Sequence, residues 1–203
     1  MQFLFSLVIA FSRNVWGSVQ TPYSTYRRLT HETLLQLPFV FALVAAYFFL
    51  VSPIKLHTLH PLLLTVNATR LFVISVTTYL GISGFLLLLG SLVGGRGKIE
   101  SMLMAWGYSL LPTLVWFTTT TLFYVLLPPP RTHSLPGTLF SLLYITFSLS
   151  LFLWKGILYY LTLRFALKLD MKRIIGVSVV FLPTLAIYSL IMYYVGVFKV
   201  PFI

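Results

Sequence analysis

The chain has 203 residues, of which 59% are hydrophobic, 17% aromatic and only 8% charged, with a mean hydropathy of +0.96. Soluble domains carry about a quarter charged residues, so a chain this apolar cannot cover its own surface in water and is read as crossing a bilayer several times. Three acids (Glu32, Glu100 and Asp170) and no cysteine exclude paired-carboxylate chemistry, all-oxygen cation cages, thiolates and disulfides, while the net charge of +11 is read as membrane topology and not as affinity for nucleic acid.

Residues 1–33 come first. Phe3–Phe11 is too short to span, and Met1-Gln2 is not the basic start of a signal peptide. The expectation is an interfacial helix with Arg13, Arg27 and Arg28 toward anionic headgroups; a poorly ordered tail is the alternative. Five apolar runs follow, at about 34–52, 71–93, 101–127, 138–163 and 174–198. The expected fold is therefore all-α: a five-helix transmembrane domain over 34–198, the interfacial segment before it and a short tail at 199–203. Ser52-Pro53, Gly94-Gly95-Arg96-Gly97 and Pro128-Pro129-Pro130 mark the ends of the first three spans, and Asp170 is the expected N-cap of the fifth.

With the N-terminus inside, nine basic residues fall on the cytoplasmic side: Arg13, Arg27, Arg28, Arg96, Lys98, Arg164, Lys168, Lys172 and Arg173. Four fall outside: Lys55, Arg70, Arg131 and Lys199. That bias predicts N-in and C-out. Lys172 and Arg173 join the three N-terminal arginines as candidate contacts for anionic lipid.

Several motifs carry little chemistry here. Gly81-Ile82-Ser83-Gly84 has the look of an intramembrane serine-protease motif, but His31, His57, His60 and His133 all lie outside the spans, so the serine has no base at its depth. Gly94–Ile99 lacks the first glycine and the Ser/Thr of a phosphate loop. His57-x-x-His60 with His133 has no carboxylate or thiolate to complete a metal site. No metal and no cofactor is expected. The sequon at Asn67–Thr69 lies too close to the membrane for a glycosyl transferase to reach, and Thr118–Thr121 needs no partner because each hydroxyl can bond within its helix.

Lys155 is the one charge well inside a span, where it costs about 2.5–3.5 kcal/mol on insertion scales. Counting depth from the inner ends puts Tyr108 and Ser83 near its level. Pro112 and Pro183 each free a carbonyl one turn back, on the third and fifth spans. Lys155, Tyr108, Ser83, Pro112 and Pro183 form a candidate intramembrane polar cluster; the alternative is that Lys155 simply snorkels. Leu111-Pro112-Thr113-Leu114 recurs as Leu182-Pro183-Thr184-Leu185 at an offset of 71, which reads as two parallel hairpin repeats behind one extra helix.

Gly107-Tyr108-Ser109-Leu110-Leu111-Pro112 resembles the G-Y-S-L-x-P stretch in the third span of the Yip family, the Ypt/Rab-interacting membrane proteins. Trp154-x-x-x-Leu158 followed by a basic segment and Pro183 is similar to the end of that family, and Pro22-x-x-x-Tyr26-Arg27-Arg28-Leu29 looks like the entry of its prokaryotic branch. The resemblance implies five spans with a cytoplasmic N-terminus. The D-L-Y-G-P motif of eukaryotic members is not in the chain, so it points to a prokaryotic plasma-membrane member. Two functions are carried forward. The first is a non-enzymatic membrane organiser that meets lipid headgroups, a membrane-protein partner or a second copy. The second is a small transporter or lipid-translocating protein with a polar path around Lys155.

Overall fold

A computed structural model describes residues 2–55, 61–126 and 135–197. His57, His60, His133, the Pro128–Pro130 run, Arg131 and the 199–203 tail lie outside the described residues. Among the described residues the chain is helical, with no strand. Helices α1 (Gln2–Gln20) and α2 (Pro22–Leu29) precede five segments long and apolar enough to cross a membrane: Leu34–Ile54, Thr65–Leu92, Ile99–Leu126, Leu135–Ala166 and Met171–Tyr194.

Local chemistry shapes each span. The first begins with a 3-10 turn (Leu34–Gln36), continues as α3 (Leu37–Ala46) and ends in a π turn (Tyr47–Val51) and a 3-10 turn at Ser52–Lys55. Pro53 there lacks the amide that would continue an α-helical ladder. The second span lies within α4 (Pro61–Leu92), which starts well before the residue 71 expected from the apolar run. Asn67, Thr69 and Arg70 are helix-compatible and exposed, so the sequon sits on a helix. The third span is two helices, α5 (Ile99–Tyr108) and α6 (Leu111–Leu126), broken where Pro112 withdraws its amide from the ladder. The fourth is α7 (Leu135–Leu161) with a π turn at Thr162–Ala166, and the fifth is α8 (Met171–Tyr194). Asp170 occupies the N-cap position of α8 with extended backbone, but its carboxylate makes no capping hydrogen bond. The two Leu-Pro-Thr-Leu copies differ in consequence: Pro112 starts a new helix, whereas Pro183 sits inside a continuous one.

Helix α4 ends in a Schellman motif. Gly94 adopts φ +83°, the Gly95 amide donates to the Gly90 carbonyl at 2.8 Å, and the Gly94 amide donates to the Ser91 carbonyl at 3.0 Å. The turn that follows meets the loop between α7 and α8 backbone to backbone, with the Arg96 amide donating to the Leu167 carbonyl at 3.2 Å. A side chain at Gly97 would put Cβ 2.5 Å from the Ala166 carbonyl oxygen, so only glycine fits.

The core lies at this same end. Helix α5 is enclosed by α2, α3, α4 and the Thr162–Ala166 turn, and Met102, Met104, Ala105, Trp106 and Tyr108 are all buried. Tyr26 and Leu29 of α2 reach into that core, joined by Leu158, Leu163 and Leu167. Leucine and phenylalanine side chains stand exposed along α7, as they do where lipid is the solvent.

Candidate functional site

Lys155 meets span 3 at its break. Its ammonium donates to the Ser109 carbonyl at 2.7 Å and to the Thr113 hydroxyl at 3.1 Å, and lies 5.1 Å from the centre of the Trp106 ring. Pro112 opened the ladder here, and a charged donor from α7 answers one of the carbonyls at the opening. The other members of the sequence cluster lie elsewhere. Tyr108 donates its phenol to Gln36, Ser83 donates to the Tyr79 carbonyl of its own helix at 2.8 Å, and Pro183 is inside α8. Depth counting placed Tyr108 and Ser83 near the level of Lys155, but it says nothing of rotation about each helix axis, and Tyr108 is turned toward the N-terminal helices. Lys155→Met leaves the Ser109 carbonyl without its charged donor. The variant is expected to fold with a loss of about 1–3 kcal/mol, read as a lower thermal unfolding midpoint in detergent.

A second polar cluster joins the N-terminal helices to the bundle. The Asn14 amide of α1 donates to Glu32 at 2.6 Å and to the Gln36 carbonyl oxygen at 2.9 Å. The Gln36 amide donates to Glu32 at 2.6 Å, and Tyr108 donates to the Gln36 carbonyl oxygen at 2.5 Å. Arg28 donates to the Asn14 carbonyl oxygen at 2.5 Å and pairs with Glu32 at 3.2 Å, with Arg13 3.5 Å from the same carboxylate. Asn14, Gln36 and Tyr108 are buried. The network thus fastens α1 and α2 to the start of span 1 and to the break in span 3. Beside it, burial holds the Tyr26 phenol well above the ordinary tyrosine range, partly offset by the Thr162 hydroxyl.

Sequence reasoning missed this latch. Arg28, Glu32 and Gln36 stand at four-residue spacing, but Asn14 and Tyr108 join them from 14 to 72 residues away, so no local motif marks the whole. The available signal was Gln36, a lone polar residue between Leu35 and Leu37.

Helix α1 presents three faces. Phe11, Asn14, Val15 and Ser18 turn toward the protein, and Phe11 stacks on Phe39 with ring centroids 5.4 Å apart. Phe5, Val8, Ile9, Trp16 and Val19 form an exposed apolar stripe interrupted by Ser12, and Ser6, Arg13 and Gln20 an exposed polar one. The Trp154 indole donates to the Ser18 carbonyl at 3.1 Å and Tyr23 packs edge-on to Phe165, so α1 and α2 rest on the end of α7. Arg27, Arg96, Lys98, Lys168, Lys172 and Arg173 are exposed at this same end, where Arg173 donates to the Gly94 carbonyl at 3.1 Å. Of the five basic residues expected to meet lipid, Arg13 and Arg28 converge on Glu32, Arg173 bridges to the end of α4, and Arg27 and Lys172 stand exposed. Among the described residues no group of three His, Cys, Asp or Glu side chains is placed to hold a metal ion.

The Yip1 domain model matches residues 16–193, from the second half of α1 to the last turn of α8. The chain belongs to the Yip1-domain family. No curated protein and no solved structure matches it. In this Yip1-domain protein the Gly107–Pro112 stretch that carried the resemblance is the break in span 3. Its Tyr108 serves the latch on one side and its Ser109 carbonyl meets Lys155 on the other.

Proposed function

We propose that this protein is a non-enzymatic, multi-pass membrane organiser of the Yip type in a prokaryotic plasma membrane. The N-terminus is cytoplasmic and the C-terminus external. Helix α1 lies in the inner interface, with its apolar stripe among acyl chains and Arg13 at headgroup level. Arg27, Arg96, Lys98, Lys172 and Arg173 offer a basic surface to anionic headgroups, and a membrane-protein partner or a second copy meets the protein at this end. The observation that carries the reading is the three-faced α1 held at the basic end of the bundle. A helix with one face on protein, one apolar face exposed and one polar face between them is matched to a lipid–water boundary.

The reading with a polar path around Lys155 draws on an intramembrane charge beside a broken helix. Its ammonium is engaged by Ser109 and Thr113, so the organiser reading is preferred. Under the second reading Lys155→Met abolishes flux in proteoliposomes without loss of fold.

Reporter fusions test the orientation. A fusion after Lys172 is expected to read as cytoplasmic and one after Lys199 as external. The reverse pattern would remove α1 and the basic end from the inner leaflet and overturn the reading.

A further inference from the structure

Between α4 and α8 runs a groove of about 470 Å³, with walls that include Ile74, Gly81 and Phe85 on one side and Phe181, Leu185 and Met192 on the other. Three of its four hydroxyls, those of Thr78, Thr184 and Tyr188, are turned to internal partners, and Thr77 supplies the fourth. Thr78 and Tyr188 share a hydrogen bond across the two helices, and Thr184 donates to the Val180 carbonyl of its own helix at 2.8 Å. Apart from the Thr77 hydroxyl, what remains toward the groove is methyl, methylene and aromatic surface. We propose that this groove holds a single acyl chain of a bilayer lipid.

Length and volume select that occupant. Ile74 to Phe85 and Phe181 to Met192 are each twelve residues, and the eleven steps between their ends rise about 16 Å at 1.5 Å per residue. That is one leaflet of a hydrocarbon core about 30 Å thick. Phe181–Met192 lies mostly in the half of its span remote from Met171, whereas Ile74–Phe85 straddles the middle of Thr65–Leu92. A transmembrane helix as occupant would run the whole thickness. A helix about 10 Å across and 16 Å long also displaces about 1,300 Å³, far more than the groove offers. An extended hydrocarbon chain, with carbon contacts near 4 Å and so a width of about 4–5 Å, displaces about 300 Å³ over the same length. One such chain fits. A Cβ built on Gly81 meets nothing within 4 Å. The lining comes from α4 and α8 and none of it from α1, so the site does not depend on the role proposed for α1.

The test uses the full-length protein in phosphatidylcholine vesicles doped with a phosphatidylcholine carrying a mid-chain diazirine. After illumination, adducts are mapped by mass spectrometry. They are expected to concentrate on residues 74–85 and 181–192 above the level on the exposed face of α7. Gly81→Leu projects a side chain into open groove space and is expected to unfold no earlier than wild type while its groove adducts fall to the α7 level. Gly156→Leu, on the exposed face of α7 where a Cβ also meets nothing, is expected to leave them unchanged. Uniform labelling of α4, α7 and α8 in the unmodified protein would overturn the proposal without recourse to any variant. So would groove adducts that persist in a folded Gly81→Leu protein, or photoproducts linking two copies of the chain through these segments.

Discussion

Replacing Gln36 with leucine is expected to destabilise the protein by about 2–4 kcal/mol and to loosen α1 from the bundle. Gln36 accepts from Asn14 and Tyr108 and donates to Glu32, all at buried or half-buried sites. Leucine occupies similar space but offers no oxygen, so the Tyr108 phenol loses the acceptor it has in a buried position and Glu32 loses one of its donors. A half-satisfied buried network is worse than an apolar one, because each stranded group bears its full desolvation cost. The measurements are the thermal unfolding midpoint in detergent and the rate of tryptic cleavage after Arg13 and Arg27. The midpoint should fall and the cleavage rate should rise together. An unchanged midpoint with unchanged cleavage would mean that the latch contributes nothing to docking the N-terminal helices.

The latch also marks the boundary of what the residues alone convey. The five spans were legible because apolar length is a local property, and the turn at Gly94 was legible because a positive φ and a helix end both favour glycine there. Lys155 stood out because a lone charge in an apolar run has few explanations. Its partner carbonyl did not, since a backbone acceptor at Ser109 has no signature in side-chain identity. The rotation of α5 about its axis, which sends Tyr108 to Gln36 and leaves Ser109 to Lys155, follows from how Trp106 and Met102 pack against neighbours far away in the chain. Depth can be counted along a sequence; azimuth cannot. The early start of α4 was hidden for a different reason: Asn67, Thr69 and Arg70 lower local hydropathy without breaking a helix.

Gly97→Ala is the second substitution expected to have a large effect. The added Cβ would lie 2.5 Å from the Ala166 carbonyl oxygen and 2.8 Å from Leu167 Cα, both backbone atoms that cannot swing aside as a side chain would. The two loops must separate, which breaks the hydrogen bond from the Arg96 amide to the Leu167 carbonyl. A cost of about 1–3 kcal/mol is expected from overpacking alone, with the lost hydrogen bond in addition. Gly176→Ala is the matched control: its Cβ meets nothing within 4 Å inside α8, so it should stabilise by roughly 0.5–1 kcal/mol through helix propensity. Unfolding midpoints that moved in the same direction for both variants would contradict the close approach of the two loops.

The central claim is that α1 lies along the inner interface with its apolar stripe in lipid. Because the chain has no cysteine, single cysteines can be introduced at Val8, Trp16 and Val19 on the apolar stripe and at Ser6, Arg13 and Gln20 on the polar one. Each is then spin-labelled in vesicles containing anionic lipid. Power saturation against oxygen and against a water-soluble nickel chelate is the deciding measurement. Oxygen access should dominate at Val8, Trp16 and Val19, and nickel access at Ser6, Arg13 and Gln20, alternating with the 3.6-residue period of a helix lying in the interface plane. Nickel access at all six positions, or a depth that instead increases steadily along α1 from one end to the other, would contradict the account.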